Sequence, residues 1–154
     1  MCLQLGSHLI LGFLVLVAAF RSENWPPKAL IEHMDIPAIV KYCLDQCPGS
    51  TKAEMELFEK TTDLQNLPNS RELKCYMHCC LVESRTILPN STRLNMENMM
   101  VVMEKLRKED VDILLRLSRG CIKRTMNVRD PWEYAYILNT CAKLNDNEHY
   151  YFIY

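Results

Sequence analysis

The chain has 154 residues, with 18 Lys and Arg against 19 Asp and Glu, and eight cysteines. A formal net charge of −1 leaves no basic excess for nucleic acid, and a 49% hydrophobic content argues against disorder. The length suits a single domain, and so many cysteines make the redox compartment the first question.

Leu9 to Phe20 is apolar throughout apart from Gly12, and no Lys or Arg precedes Arg21. This run is too short for a bilayer-spanning helix, which needs about 20 residues. Val17-Ala18-Ala19 supplies the small residues expected before a cleavage point. The reading is a secretory signal peptide over residues 1–19 and a secreted domain over residues 20–154, with an N-terminal anchor as its rival. No later segment is long and apolar enough to cross a membrane, so no stable membrane insertion is expected after cleavage. Cleavage would remove Cys2, Gly6 and Gly12, leaving Gly49 and Gly120 as the glycines of the domain. A sandwich or barrel needs many turns with positive φ, and two glycines do not supply them. The expected fold class is therefore all-α.

Pro26-Pro27 leads into a helical stretch from Lys28 to Cys47, interrupted or kinked at Pro37. Thr51-Lys52-Ala53-Glu54 is a capping box, and the helix it opens carries Met55 and Phe58 on one face. Asn69 to Glu72 repeats that spacing after Pro68 and predicts a helix to about Arg85. Asn95 to Leu106 carries Met96, Met99, Met100 and Met103 at i, i+3, i+4, i+7. Asp110 to Ile122 places Val111, Leu114, Leu115, Leu117 and Ile122 at helical spacing, with Gly120 near its end. Asp130-Pro131-Trp132-Glu133 combines an Asp cap, Pro in the first turn and a following Glu. Tyr134, Ile137, Leu138, Cys141 and Leu144 continue it. About six helices follow, with no internal repeat and no linker.

Cys43/Cys47 and Cys75/Cys79 are each spaced i, i+4, so each pair lies on one side of its helix. If those helices run antiparallel, Cys43 pairs with Cys79 and Cys47 with Cys75, while Cys121 and Cys141 tie the last two helices. Loops of these lengths contribute roughly 3–4 kcal/mol each in the chain-entropy model. The rival use of Cys75, His78, Cys79 and Cys80 is a zinc site, but no second CxxC or HxxxH pair completes a tetrahedral set. No metal and no cofactor are expected. Nor is an enzyme: His8, His33, His78 and His149 stand beside no nucleophile motif, and G-x-S-x-G, H-E-x-x-H and phosphate-cradling glycine loops are missing.

Lys74-Cys75-Tyr76-Met77-His78-Cys79, followed by Asp130-Pro131-Trp132-Glu133-Tyr134-Ala135-Tyr136 and Cys141, resembles the insect odorant-binding protein family. The resemblance runs from about Cys43 to the tail. It implies a secreted shell of about six disulfide-stapled helices around an apolar cavity that carries a small hydrophobic molecule without chemical turnover. It implies the pairs Cys43–Cys79 and Cys121–Cys141. Trp132 stands where the family pattern has its fifth cysteine, so the remaining family pair has no partner for Cys75. Cys47 then offers a substitute, leaving Cys80 free. Trp132 itself reads as a packing residue in the space a disulfide would bridge.

For such a carrier the wall candidates are Phe58, Tyr76, Met77, Leu81, Met96, Met99, Met100, Met103, Leu114, Leu117 and Phe152. Methionine suits varied apolar ligands, although the same stripe also reads as ordinary core. The resemblance implies a C-terminal tail that folds over or into the cavity. His149-Tyr150-Tyr151-Phe152-Ile153-Tyr154 is apolar enough to dock, and His149 beside Glu148 suggests a pH-sensitive contact, with a surface histidine as the plainer reading. Asn90-Ser91-Thr92 is a glycosylation sequon between two helices. The implied partners are a small apolar ligand and a chemosensory receptor or other secreted protein, in sensillum lymph or another secreted fluid. The alternative from another class is a stapled helical interaction protein with a filled core that docks a protein partner.

Overall fold

Capping side chains decide where most helices begin in the computed structural model, which describes residues 25–32 and 34–154. The signal-peptide reading over residues 1–19, and His8 and His33, lie outside the described residues. Eight α-helices are described: α1 (Lys28–Ile31), α2 (Ile36–Gln46), α3 (Lys52–Lys60), α4 (Arg71–Glu83), α5 (Met96–Met103), α6 (Lys108–Ser118), α7 (Cys121–Thr125) and α8 (Pro131–Asn145). Two of them, α1 and α7, are no more than about a turn long. The other six match the expected all-α fold of about six helices. Among the described residues no strand forms, only an isolated antiparallel bridge between Ile87 and Leu94.

Thr51 accepts from the Glu54 amide and Asp130 from the Glu133 amide, as the sequence predicts. Three boundaries differ from expectation. The stretch from Lys28 to Cys47 is two helices, because Asp35 caps a new one by accepting from the Ala38 amide. Pro37 thus sits in a first turn, where its missing N–H costs nothing, and kinks no helix. The cap of α4 is Ser70, not Asn69, since the Leu73 amide donates to its Oγ at 3.0 Å. Finally, the expected helix from Asp110 to Ile122 breaks at Gly120, whose φ of +72° is a left-handed turn that separates α6 from α7.

Disulfides fix the frame. Cys43–Cys79 and Cys47–Cys75 bolt α2 to α4, and Cys121–Cys141 bolts α7 to α8. Around them α8 packs on α4, α6 and α7, and α2 packs on α4. The two i, i+4 cysteine pairs require one shared face on α2 and one on α4, which sets the rotation of both helices. Cys80 is buried and unpaired. The core that results holds Met55, Phe58, Leu73, Tyr76 and Met77, all but inaccessible to solvent.

Candidate functional site

The interior is built by α3, α4, α8 and the segment that follows α8. Helix α3 supplies Met55 and Phe58, α4 supplies Leu73, Tyr76, Met77 and Cys80, and α8 supplies Ala135. The tail enters between them. Phe152 is buried, with ring centroids 5.8 Å from Phe58, 6.1 Å from Tyr76 and 6.5 Å from Tyr150. Tyr150 and Phe152 point inward while Tyr151 is exposed, the two-residue alternation of an extended segment. Edge-on contacts between Phe58, Tyr76 and their aromatic neighbours add to the apolar burial.

Polar groups peg the tail at several points. Tyr76 Oη donates to the Ile153 carbonyl at 3.1 Å, and Tyr150 Oη donates to Asn139 Oδ1 at 2.8 Å. Tyr154 Oη donates to the Glu59 carboxylate. Lys143 is buried, yet its ammonium donates to the Glu59 carbonyl and to Asn147 Oδ1, both at 2.6 Å, beneath the Tyr150 ring. Burial lowers the Lys143 pKa, and the nearby Glu59 carboxylate acts the other way. Burial raises the Tyr76 and Tyr150 hydroxyls above the usual phenol range, and pushes the Cys80 thiol up to about 12. These groups are neutral hydrogen-bonding or packing elements at ordinary pH.

At the neck of the tail, His149 Nδ1 meets the Asp146 carboxylate at 2.9 Å, and Arg116 meets the same carboxylate at 3.0 Å. The histidine's partner is Asp146 rather than the Glu148 expected from sequence. Trp25 Nε1 donates to the His149 carbonyl at 2.5 Å, which brings the segment before α1 onto the same neck.

Of the eleven wall candidates, Phe58, Tyr76, Met77, Leu81, Leu117 and Phe152 come together in one cluster. Met96, Met99, Met100, Met103 and Leu114 stand outside it. Leu114 lies on α6, whereas the methionines' helix, α5, has no buried residue, and Met96 and Met100 are more than half exposed. Helical spacing shows that residues share a face, but not that another helix covers it. Sequence reasoning placed Tyr150, Ile153 and Tyr154 in a docking tail without naming them as wall residues, and missed Lys143, Glu59 and Asn139. With no polar residue between Tyr150 and Tyr154, alternation had no pattern to reveal.

Two hollows lie elsewhere. One, of about 430 Å³, opens between α1 and the Lys105–Asp110 junction of α5 and α6, and the other, of about 130 Å³, lies beside Leu67 and Lys143. None of the eleven candidates lines either of them. Among the described residues no cluster of His, Cys, Asp and Glu is arranged to hold a metal, and disulfides consume the sulfurs of Cys75 and Cys79.

Residues 33–145, most of the chain, match the PBP/GOBP family. The chain belongs to the PBP/GOBP family. No characterised protein and no solved structure matches it. The PBP/GOBP proteins are binding proteins, not an enzyme family, and its members are secreted odorant carriers. Among the described residues no helix is long and apolar enough to cross a membrane. The match begins before α2 and ends at the last residue of α8, so it spans the three disulfides of the described residues and stops short of the tail.

Proposed function

We propose that this PBP/GOBP chain is a secreted carrier that binds a small hydrophobic molecule in the interior now filled by its own tail, without altering it. The observation that carries this reading is Phe152, an aromatic side chain brought in by an extended segment and seated between Phe58 and Tyr76. A tail side chain in that position is a stand-in for an apolar ligand. Removing it leaves a space beside the rings of Phe58, Tyr76 and Tyr150, rimmed by the Tyr76 hydroxyl. Three disulfides support the walls when the space is vacated, because they hold α2 to α4 and α7 to α8 independently of the filling.

Burial of about 250 Å² of apolar ligand surface, at about 25 cal/mol/Å², yields about 6 kcal/mol, or tens of micromolar. Tail and ligand compete for one space, so the cost of undocking the tail reduces the apparent affinity. The test is titration with an apolar fluorescent naphthylamine probe, followed by displacement with a long-chain alcohol. Saturable, displaceable uptake that tightens on deletion of residues 149–154 supports the carrier. Uptake by neither form overturns it, and favours the filled-core interaction protein, whose exposed Met96 and Met100 would then be the docking face.

A further inference from the structure

Lys143 is a primary amine shut inside the fold, only 4% exposed. It lines the smaller hollow, of about 130 Å³, whose apolar side is Leu64, Leu67 and Leu144. Asn147 lines the same hollow and accepts from the Lys143 ammonium at 2.6 Å, which sets the nitrogen at its wall. A second bond, to the Glu59 carbonyl at 2.6 Å, holds the nitrogen from the α3 side. Two bonds are as many as a neutral amine can donate, so both partners keep theirs when the third proton leaves, and a lone pair is freed. Burial favours that loss. It holds the Lys143 pKa below the usual lysine value, with the Glu59 carboxylate opposing it in part. Lys41, Lys52 and Lys123, by contrast, are exposed. A desolvated lysine amine at the wall of a hollow is the arrangement that makes lysine a nucleophile toward carbonyl compounds.

We propose that Lys143 is a capture site for a short aliphatic aldehyde, which it holds in this hollow as a reversible imine. The nitrogen adds to the carbonyl carbon, the resulting carbinolamine expels its hydroxyl as water, and an iminium remains. One aldehyde and one ammonium thus give one iminium and one water, with charge conserved and no oxidant, reductant or co-reactant needed. The iminium keeps the positive charge that the Glu59 carboxylate favours, and its single N–H retains one of the two hydrogen bonds. Hydrolysis returns the aldehyde unchanged, so the step stores the molecule and does not convert it. The alkyl chain lies along Leu64, Leu67 and Leu144. At about 30 Å³ for each water-sized group the hollow holds roughly four or five, which sets the length near that of butanal. An alcohol of equal length has no carbonyl carbon to attack. Leu64 and Leu144 stand outside the interior cluster, so capture does not require the tail to leave it.

The experiment treats the folded secreted protein at neutral pH with limiting butanal and sodium cyanoborohydride, which reduces an imine to a stable secondary amine. Peptide mapping then measures alkylation at each lysine, separately from the α-amino terminus. The expected result is about fivefold more label at Lys143 than at Lys41, Lys52 or Lys123, since each pKa unit of lowering enlarges the free-amine fraction about tenfold. In denaturant the excess disappears, because every lysine is then solvated alike. Leu64 is half exposed, so Leu64→Trp crowds the hollow without entering the core, and it should lower the label at Lys143 several-fold. No excess at Lys143, an excess that survives denaturant, or one untouched by Leu64→Trp overturns the proposal. Label at Lys143 in a protein that takes up no naphthylamine probe leaves this site standing and the interior carrier site refuted, so the two readings fail separately.

Discussion

The Tyr76 hydroxyl donates its hydrogen bond to the backbone carbonyl of Ile153, so the buried centre of α4 grips the tail by its main chain. No substitution at residue 153 removes that acceptor, whereas Tyr76→Phe removes the donor and leaves the ring. The Cys80 thiol lies 4.0 Å from the same carbonyl, too far and too weak a donor to replace it. Tyr76→Phe is expected to weaken tail docking by about 1 kcal/mol. Amide exchange at residues 150–154 then quickens by about fivefold while the amides of α4 and α8 hold their protection. Under the proposed competition, probe affinity rises by a similar factor.

The cysteines make a second expectation. Digestion without reduction should release the linked pairs 43–79, 47–75 and 121–141, with Cys80 the one remaining thiol among the described residues. Burial keeps that thiol protonated, so it reacts with a thiol reagent in the folded protein far more slowly than a free cysteine does. In denaturant the Cys80 equivalent should appear at once. The double variant Cys47→Ser, Cys75→Ser removes one staple and is expected to lose about 3 kcal/mol. Equal thiol reactivity in the folded and unfolded chain would refute the buried placement.

How far these features were legible depended on whether one residue or a pair of elements decided them. Thr51 and Asp130 write their helix starts locally, because a cap needs only the amide three residues on. The i, i+4 cysteines write the α2–α4 alignment, because a disulfide tolerates few separations. The methionines of α5 write a face and no partner, so their periodicity promised a wall that the fold leaves half in solvent. The resemblance implied a tail folded over or into the cavity, but which of its residues fill the core depends on the space that α3, α4 and α8 leave between them. Trp132 is the middle case. Its ring is half-buried, with the Arg71 guanidinium 5.1 Å from the centroid and Lys74 and Glu133 paired at 2.5 Å alongside. Those contacts join α4 to the start of α8, where the family pattern has a disulfide and this chain has Trp132.

Asp146 sets an acid limit on the neck of the tail. Burial disfavours its carboxylate, but hydrogen bonds from His149 and Arg116 outweigh that and hold its pKa below the ordinary carboxylate value. A carboxylate whose pKa is lower folded than unfolded contributes stability above its unfolded value, near 3.9. That contribution is lost as pH falls through the folded value. Asp146→Asn should therefore be less stable than the parent at pH 6, with the difference shrinking toward zero by about pH 2. Urea midpoints across that range check it, and a constant difference would assign the effect to packing alone.

The loop between α4 and α5 supplies the last expectation. The Leu88 amide donates to the Arg93 carbonyl and the Asn95 amide to the Thr86 carbonyl, which pins both stems of a short hairpin-like turn. Asn90 lies at its tip, exposed and at a φ of +53°, a left-handed position that asparagine tolerates better than most residues. The sequon Asn90-Ser91-Thr92 is thus presented on a turn that points its amide into solvent, outside the interior cluster. Expression through a eukaryotic secretory pathway should add one N-linked glycan there. Peptide-N-glycosidase F removes the added mass, and Asn90→Gln and Thr92→Ala each prevent it. Because the tip lies apart from Phe58, Tyr76 and Phe152, the glycan should leave probe binding unchanged. Secreted protein at its unmodified mass would sink this expectation, and a glycan that blocks uptake would place the ligand entrance at this loop.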